Sequence, residues 1–462
     1  MGEVAQARPR AFSVGFRGLQ TWSVAAQYAV DWNWPDEIIK PLGSILIRRN
    51  EAALETLTPE SMVTLLTIRF DGSIEPREPV RIKDIKGRLF RVYPGDVVFS
   101  KIDVRNGAIG LAPDDIDCMC VTSEFPVYSV DFKKTDSGYV KLLFRTVAFK
   151  KLLNSMISGA SGRKRIQPTQ LEGVKVPIPP LLIQQKIVAH WEAAQLEQSQ
   201  FLMNEQDLVK ESQSTTLALL GIKKIEGKPV GKMFCLPWKD SERWSYEYNK
   251  RILAGLSSVV TGTYPAVPLN SICKGVSGST PSKKRSEYWA NGILPWVSPK
   301  DMKTRLITDS INHISDNAVK ERQAPVVTSG SILFVVRSGI LQHTVPVAMT
   351  DISVSINQDI RAFTPYTENI LAEYLLAYFE AKQDELLRLV KWSTTVQSIN
   401  KEELESFPIP IPPMSKQKEI ISTVRDYHSE INSLRQNRNA RIQGAEREIE
   451  KMILGTRPVE VH

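Results

Sequence analysis

Apolar and polar positions in this chain repeat on two periods, which mark two kinds of segment. From Leu181 onward apolar residues fall at Ile187, Trp191, Ala194, Phe201 and Leu208, with Gln198 as a polar interruption. Near the C-terminus Ile420, Val424, Tyr427, Ile431 and Leu434 step by 4, 3, 4 and 3 residues. Such three-four spacing draws a narrow apolar stripe down one face of a helix and predicts helix-on-helix pairing. The competing arrangement is a helix lying on the core of its own domain. Pairing is favoured because both segments carry the seam over several heptads. A helix from Leu181 to about Leu219 would be roughly 55–60 Å long at 1.5 Å per residue. That exceeds a small domain and suits a spacer.

The segments between are patterned differently. Runs such as "DVVFSKIDV", "CVTSEFPVYSV", "GSILFVVRSGI" and "VPVAMT" are short, β-branched and bounded by Gly, Pro or Asp, which predicts strands. Each segment also carries one predicted helix with apolar residues at i, i+3 and i+4, over Ser137–Met156 and Ile370–Val390.

The two halves repeat one unit. "VPIPPLLIQQKIV" at Val176–Val188 returns as "IPIPPMSKQKEII" at Ile409–Ile421. Pro177 falls on Pro410, Gln184 on Gln417 and Ile187 on Ile420, a constant offset of 233 residues. Upstream, Ile166 falls on Ile399 and Leu171 on Leu404. Gly95–Phe99 resembles Gly330–Phe334 at an offset of 235. Leu42–Ile45 resembles Leu269–Ile272, Trp22-Ser23 resembles Trp244-Ser245, and Leu219–Gly221 resembles Ile453–Gly455. A drifting offset with landmarks in constant order is the mark of a duplicated unit with loop insertions. Proline cannot continue a helix but is tolerated at its first turn, so each Pro-Ile-Pro-Pro joint sets a helix's entry direction. The expected division is a first mixed domain over residues 1–180, a helix over 181–222, a second domain over 223–413 and a helix over 414–462. The fold class is α+β, with two β-rich domains in tandem and two long helices packing antiparallel.

Composition narrows the chemistry. Of 462 residues, 42% are hydrophobic and 24% charged, ordinary values that let each domain build a core. No apolar run reaches the roughly 20 residues of a membrane span, and no hydrophobic leader follows the N-terminus, so a cytoplasmic protein without a membrane partner is expected. The net charge of +8 is compatible with a polyanionic partner. Cys118, Cys120, Cys235 and Cys273 lack metal-ligand spacing and read as small reduced core residues. No phosphate loop, dinucleotide fingerprint or nucleophile elbow occurs. Glu226-Gly227-Lys228 matches only the tail of a nuclease-like pattern. Neither a catalytic residue, a bound metal nor a bound cofactor is expected of this chain.

Contact surface remains. Ser161, Arg163, Lys164 and Arg165 form a small basic stretch just before Ile166. Lys391, Thr394, Thr395 and Gln397 stand at its counterpart before Ile399. Thr280, Lys283, Lys284 and Arg285 form a basic, hydroxyl-bearing loop. Lys101, Arg105 and Asn106 follow one predicted strand, and Arg337 follows its equivalent. Arg and Lys make phosphate contacts, and Arg, Asn, Gln and Lys read base edges in the major groove. One basic loop alone is more often solvated surface. Basic, polar loops at matching places in two repeats point to DNA.

These residues resemble the DNA-specificity subunit of type I restriction-modification systems. The resemblance lies in the duplicated "IPxPP…Q" joint, in "GSTPSKKRSEYWANGILPWVSPKD" and in "SKIDVRNGAIGLAP…CVTSEFPVYSVD". "SGASGRKRIQPTQL" departs from the Thr-Gly-Ser-Thr-Gln form commoner in that loop. The resemblance implies a non-catalytic adaptor whose two target-recognition domains each read half of a bipartite site in double-stranded DNA, held at a fixed spacing by the helices. Two methylation subunits using S-adenosylmethionine would dock on the helices, and restriction subunits using ATP and Mg would join through them. Two other readings stay open at this point: a fused methyltransferase/nuclease, and a scaffold of duplicated domains that binds no DNA.

Overall fold

The computed structural model describes residues 30–155, 165–222, 230–231, 233–237, 239, 249–250, 253, 262–321, 323–393 and 396–460. Trp22-Ser23, Trp244-Ser245 and Glu226–Lys228 lie outside them. Two compact units divide the chain, Met1–Gln200 with Asn437–His462, and Phe201–Gln436. The division falls inside both long helices, Leu181–Leu219 and Met414–Leu454.

In the first unit a four-stranded sheet runs in the order Leu46–Arg49, Val127–Val130, Val97–Phe99, Ile109–Leu111. A second sheet centres on Met62–Ile68, which pairs in parallel with Met119–Thr122. Val97, Val98 and Phe99 are all buried, which accounts for the unbroken apolar run there. The main core joins Phe99 and Tyr128 of the first sheet to Tyr139, Leu143 and Phe149. Ile187 of the central helix and Ile449 and Ile453 of the C-terminal helix complete it.

The second unit repeats the plan with more strands. Its five-stranded sheet runs Cys273–Ser277, Ile360–Pro365, Ile332–Val335, Val347–Thr350, Leu306–Ile307, and a four-stranded sheet contains Leu294–Val297 and Val354–Ile356. Phe334, Phe363, Tyr374, Tyr378 and Phe379 fill the core, and Ile420 and Val424 reach into it from the C-terminal helix.

Each predicted domain helix is broken in two. Ser137–Arg145 and Val147–Ser155 are separate helices because Thr146 turns to ψ 145°. Its Oγ1 donates to Leu143 O at 2.7 Å and accepts from Phe149 N at 3.1 Å, so a mid-helix threonine acts as a cap. Ala372–Ala381 and Gln383–Arg388 are likewise split at Lys382, which is buried with its Nζ on Glu385. The cysteines also divide: Cys120 and Cys273 are buried and Cys118 and Cys235 exposed. Burial pushes the Cys120 thiol up to about 11 and Cys273 up to about 12. The expectation of small core residues therefore fails for two of the four.

The proline joints are pinned in the same way twice. Lys175–Pro177 pairs antiparallel with Ile39–Pro41, and Pro408–Pro410 with Ala266–Pro268. Two-stranded ribbons are all edge, so they tolerate residues that lack an N–H. Gln184, fully buried, accepts from Thr135 Oγ1 at 2.8 Å and Asp136 N at 2.9 Å, and donates to Lys134 O and Pro179 O. Gln417, also fully buried, accepts from Leu371 N at 2.9 Å and donates to Asn369 O and Pro412 O. One glutamine thus ties domain, joint and helix together in each unit.

The helix ends are repeated too. Gly221 (φ 67°) and Gly455 (φ 78°) take the left-handed conformation that closes a helix. Beyond them, Thr263 N donates to Leu220 O at 3.1 Å and Asn33 N to Leu454 O at 2.8 Å. The last turn of each long helix therefore clasps the segment that leads into the first strand of a β-rich domain.

The long helices run antiparallel. In the first unit His190 meets Glu448 at 3.0 Å and Arg441 meets Glu197 at 3.6 Å. In the second, Arg435 meets Glu205 at 2.7 Å and Tyr427 Oη lies 3.3 Å from Thr215 Oγ1. Among the seam residues, Ile187, Ile420, Val424 and Ile431 are buried, while Trp191, Phe201, Tyr427 and Leu434 are half-buried.

Candidate nucleic-acid interface

Several of the sequence-selected polar residues converge at one edge of each domain. In the first, strand Val97–Phe99 runs into a short turn of 3-10 helix, Val104–Asn106, that carries Arg105 and the exposed Asn106. Gly107 ends it at φ 104°, and a Cβ there would meet Phe70 O at 2.0 Å, so the turn requires glycine. Lys101 O accepts from Ile166 N at 2.9 Å, which brings Arg165 and Ile166 against the strand end. Lys101 Nζ donates to Ser123 O at 2.6 Å. Arg165 Nη2 lies 3.3 Å from Glu124 Oε2. Lys101 and Arg165 are thus gathered around Ser123 and Glu124. Ser161, Arg163 and Lys164 lie outside the described residues.

The second domain reproduces this edge. Ile399 N donates to Val336 O at 2.9 Å, the counterpart of the Ile166–Lys101 bond. Arg337 bridges Ser398, and Ser338 N donates to Gln397 O at 3.2 Å. Lys391 is exposed on a two-stranded ribbon, paired with Ser398. Gln397 is buried, so its backbone rather than its amide is placed at the edge. Thr394 and Thr395 lie outside the described residues. Arg337 Nε donates to Asp359 Oδ1 at 2.8 Å.

The Thr280 loop packs on this arrangement. Gly278 approaches so closely that a Cβ would stand 1.9 Å from Asn357 O. Ser279 N donates to Ile356 O at 3.0 Å, and the Thr280 hydroxyl bonds Gln358 Oε1. Thr280, Gln358, Asp359 and Arg337 therefore form a continuous polar row. Arg285 belongs to a separate cluster. It bonds Glu287 and Glu321 and lies over the Tyr288 ring, 4.3 Å from its centroid. The Tyr288 hydroxyl and, more weakly, Arg285 hold the Glu321 carboxyl below its ordinary range. Lys283 and Lys284 are exposed beside it.

Gln358, Asp359 and Glu124 were not among the residues selected from sequence. The duplication held the signal, because the 235-residue offset that aligns the strands also sets Glu124 on Asp359. Among the described residues no group of His, Cys, Asp and Glu could hold a metal ion, and no helix is long and apolar enough to cross a membrane.

Two β-rich α+β domains in tandem, each with a proline joint and a long helix, and a polar edge repeated in both, define a duplicated recognition architecture. The family model for the type I restriction modification DNA specificity domain matches residues 92–193 and 263–443, more than half of the chain, and the chain belongs to that family. It is 36% identical over 183 residues to the specificity subunit of the type I restriction enzyme EcoR124I/EcoR124II of Escherichia coli, covering 39% of this chain and 43% of that protein. It is 28% identical over 201 residues to the specificity subunit of the type I restriction enzyme MjaIX of Methanocaldococcus jannaschii, covering 42% and 44%. The chain thus matches less than half the length of these curated relatives. A solved chain from a study of complex assembly in a type I R-M system shares the fold, with TM-score 0.55 and 16% identity over 92% of this chain and 96% of that one.

Proposed function

We propose that this chain reads a bipartite target in double-stranded DNA, one short half-site per β-rich domain, and carries no catalytic group of its own. The polar edge carries the reading: in both domains an arginine held by a carboxylate stands where the Ile166 and Ile399 amides close onto a strand end. Family membership and the specificity-subunit relatives support it. The residues proposed to face DNA are Lys101, Arg105, Asn106, Ser161, Arg163, Lys164, Arg165, Thr280, Lys283, Lys284, Arg337, Lys391, Thr394 and Thr395. Arg285 and Gln397 are proposed to support these loops. A single mismatch costs about 1–3 kcal/mol, so one short half-site discriminates modestly. Rigid linkage makes the second encounter intramolecular, but only at one spacing. The helices, 39 and 41 residues long, are the proposed spacer.

Two methylation subunits using S-adenosylmethionine are the proposed partners, joined by restriction subunits using ATP and Mg. Leu182, Ala189, Ala193 and Leu196 support docking on the central helix. They form an exposed apolar stripe on a face other than that of Ile187 and Trp191, with Leu182 51% and Leu196 64% exposed. Filter binding of duplex DNA by the full chain under salt titration tests the function. A steep fall in affinity with salt is expected from phosphate contacts, and salt-independent or absent binding contradicts it.

A further inference from the structure

An acidic side chain on a surface that meets phosphates costs affinity through charge repulsion, so its presence there calls for another role. Glu124 and Asp359 are such residues, at equivalent positions of the two repeats. Each holds an arginine, and the two arginines arrive from different directions. Arg165 comes from the segment before the proline joint, whereas Arg337 comes from the end of strand Ile332–Val335. The acid is therefore the fixed element of the pair, and the arginine has been supplied to it twice.

The Asp359 site is built in detail. Its Oδ1 accepts from Arg337 Nε, and its Oδ2 accepts from Asn357 Nδ2 at 3.3 Å and Gln358 Nε2 at 3.5 Å. Asn357 is buried, and its Oδ1 in turn accepts from Asp359 N at 3.0 Å, so the carboxylate cannot rotate freely. The Arg337 backbone is fixed as well, since Val336 N donates to Asp359 O at 2.8 Å and Arg337 bridges Ser398. Asp359 occupies the inner edge of the guanidinium through Nε and leaves the two terminal nitrogens, whose parallel N–H groups suit bidentate bonds to the O6 and N7 acceptors of guanine. The Arg337 side chain is 57% exposed.

We propose that Asp359 is a specificity-determining positioning residue that aims Arg337 at a base edge; Glu124 differs in holding Arg165 through its terminal nitrogens. This inference rests on the DNA-reading function proposed above. A free arginine in solvent samples phosphate and base contacts alike, whereas one clamped through Nε has its fork fixed before DNA arrives. The carboxylate also screens Arg337 from acting as one more phosphate contact.

The test selects ligands from a pool of duplexes with both half-sites randomised, using the full-length chain and its Asp359→Asn, Asp359→Glu, Arg337→Ala and Asp359→Asn/Arg337→Ala variants. Folding of each is first checked by thermal unfolding; Arg337→Ala removes an exposed side chain and serves if Asp359→Asn fails to fold. A bidentate arginine discriminates by a factor of roughly five to a hundred. Asp359→Asn is expected to lose about tenfold in preference at one base-pair position of one half-site, the same position that Arg337→Ala flattens. The double variant should lose no more than the worse single variant, Asp359→Glu should restore part of the preference, and Arg337→Ala should leave the salt dependence unchanged. A general loss of affinity across all sequences, or an unaltered preference in Arg337→Ala, overturns the proposal while leaving DNA reading intact. A wild-type chain that enriches no sequence overturns the DNA-reading function and this proposal with it.

Discussion

The Tyr139 hydroxyl donates to the carbonyl of Pro177 at 2.9 Å, and both groups are buried. Tyr374 does the same to Pro410 at 2.8 Å in the second unit. Pro177 C=O stands at the point where the domain becomes a joint, so this bond fixes the angle at which a helix leaves. Tyr139→Phe is expected to lower stability by about 1–3 kcal/mol, because it strands a buried carbonyl. Gln184→Leu is expected to cost more, since it leaves the Lys134 and Pro179 carbonyls and the Thr135 and Asp136 donors without their partner. Chemical denaturation of the variants checks both, and a Gln184→Leu protein as stable as Tyr139→Phe would contradict the ranking.

Two glycines of the C-terminal helix should respond in opposite ways to alanine. At Gly455 a Cβ would stand 2.4 Å from Asn33 O at φ 78°, so Gly455→Ala is expected to destabilise by roughly 1–3 kcal/mol and loosen the clasp on the segment at Asn33. At Gly444 nothing lies within 4 Å, and Gly444→Ala is expected to stabilise by about 0.5–1 kcal/mol through helix propensity. Thermal unfolding of both variants is the measurement.

The seam illustrates how much of the fold was legible in the sequence. The three-four spacing marked Ile187, Ile420 and Val424 as a buried face, and the same residues lie in the cores of the β-rich domains. Periodicity identifies which side of a helix is apolar but not what covers it, and here a domain and a second helix share that work. The strands and the joint were readable because local composition and duplication fix them. The splits at Thr146 and Lys382 were not, because each depends on a side chain turning back on its own backbone or into a tertiary pair. At the interface the basic residues were visible as charge, whereas Asp359 and Gln358 gained meaning only once folding set them beside Arg337 and Thr280.

Stability should depend on acid through the helix pair. The Arg457 guanidinium, and then His190, hold the Glu448 carboxyl below its ordinary range. A carboxyl depressed in the folded state stabilises above its unfolded pKa of about 4.3, and that contribution is lost as pH falls through the lower folded value. Glu448→Gln is therefore expected to be slightly less stable than wild type between pH 6 and 8, and the difference is expected to shrink as pH falls below about 4.5. The effect is small because both partners are partly exposed. Melting temperatures of the two proteins across pH 3–8 decide it, and identical acid limbs would contradict the role of this pair.

Lys391 is exposed at the polar edge and is expected to contact phosphate. Lys391→Ala should weaken binding similarly on all sequences and reduce the salt slope by about one. A change confined to one base position would instead make it a base reader.

Leu196→Glu should impair loading of a methylation partner without changing DNA preference, because Leu196 lies on the exposed apolar stripe of the central helix. The equivalent face of the C-terminal helix is polar, with Ser415, Ser422, Asp426 and Ser429, so the two positions should load unequally. Co-purification stoichiometry of wild type and variant reads this out.

The fixed-spacer model is tested most directly by selecting binding sites for the full chain and for a variant with four residues inserted into both helices in register, after Gln200 and after Gln436. Four residues add about 6 Å, close to one helical turn. The expected result is two enriched half-sites, identical in both proteins, with a longer preferred spacer in the variant. An unchanged spacer, or a single uninterrupted motif, would contradict the account.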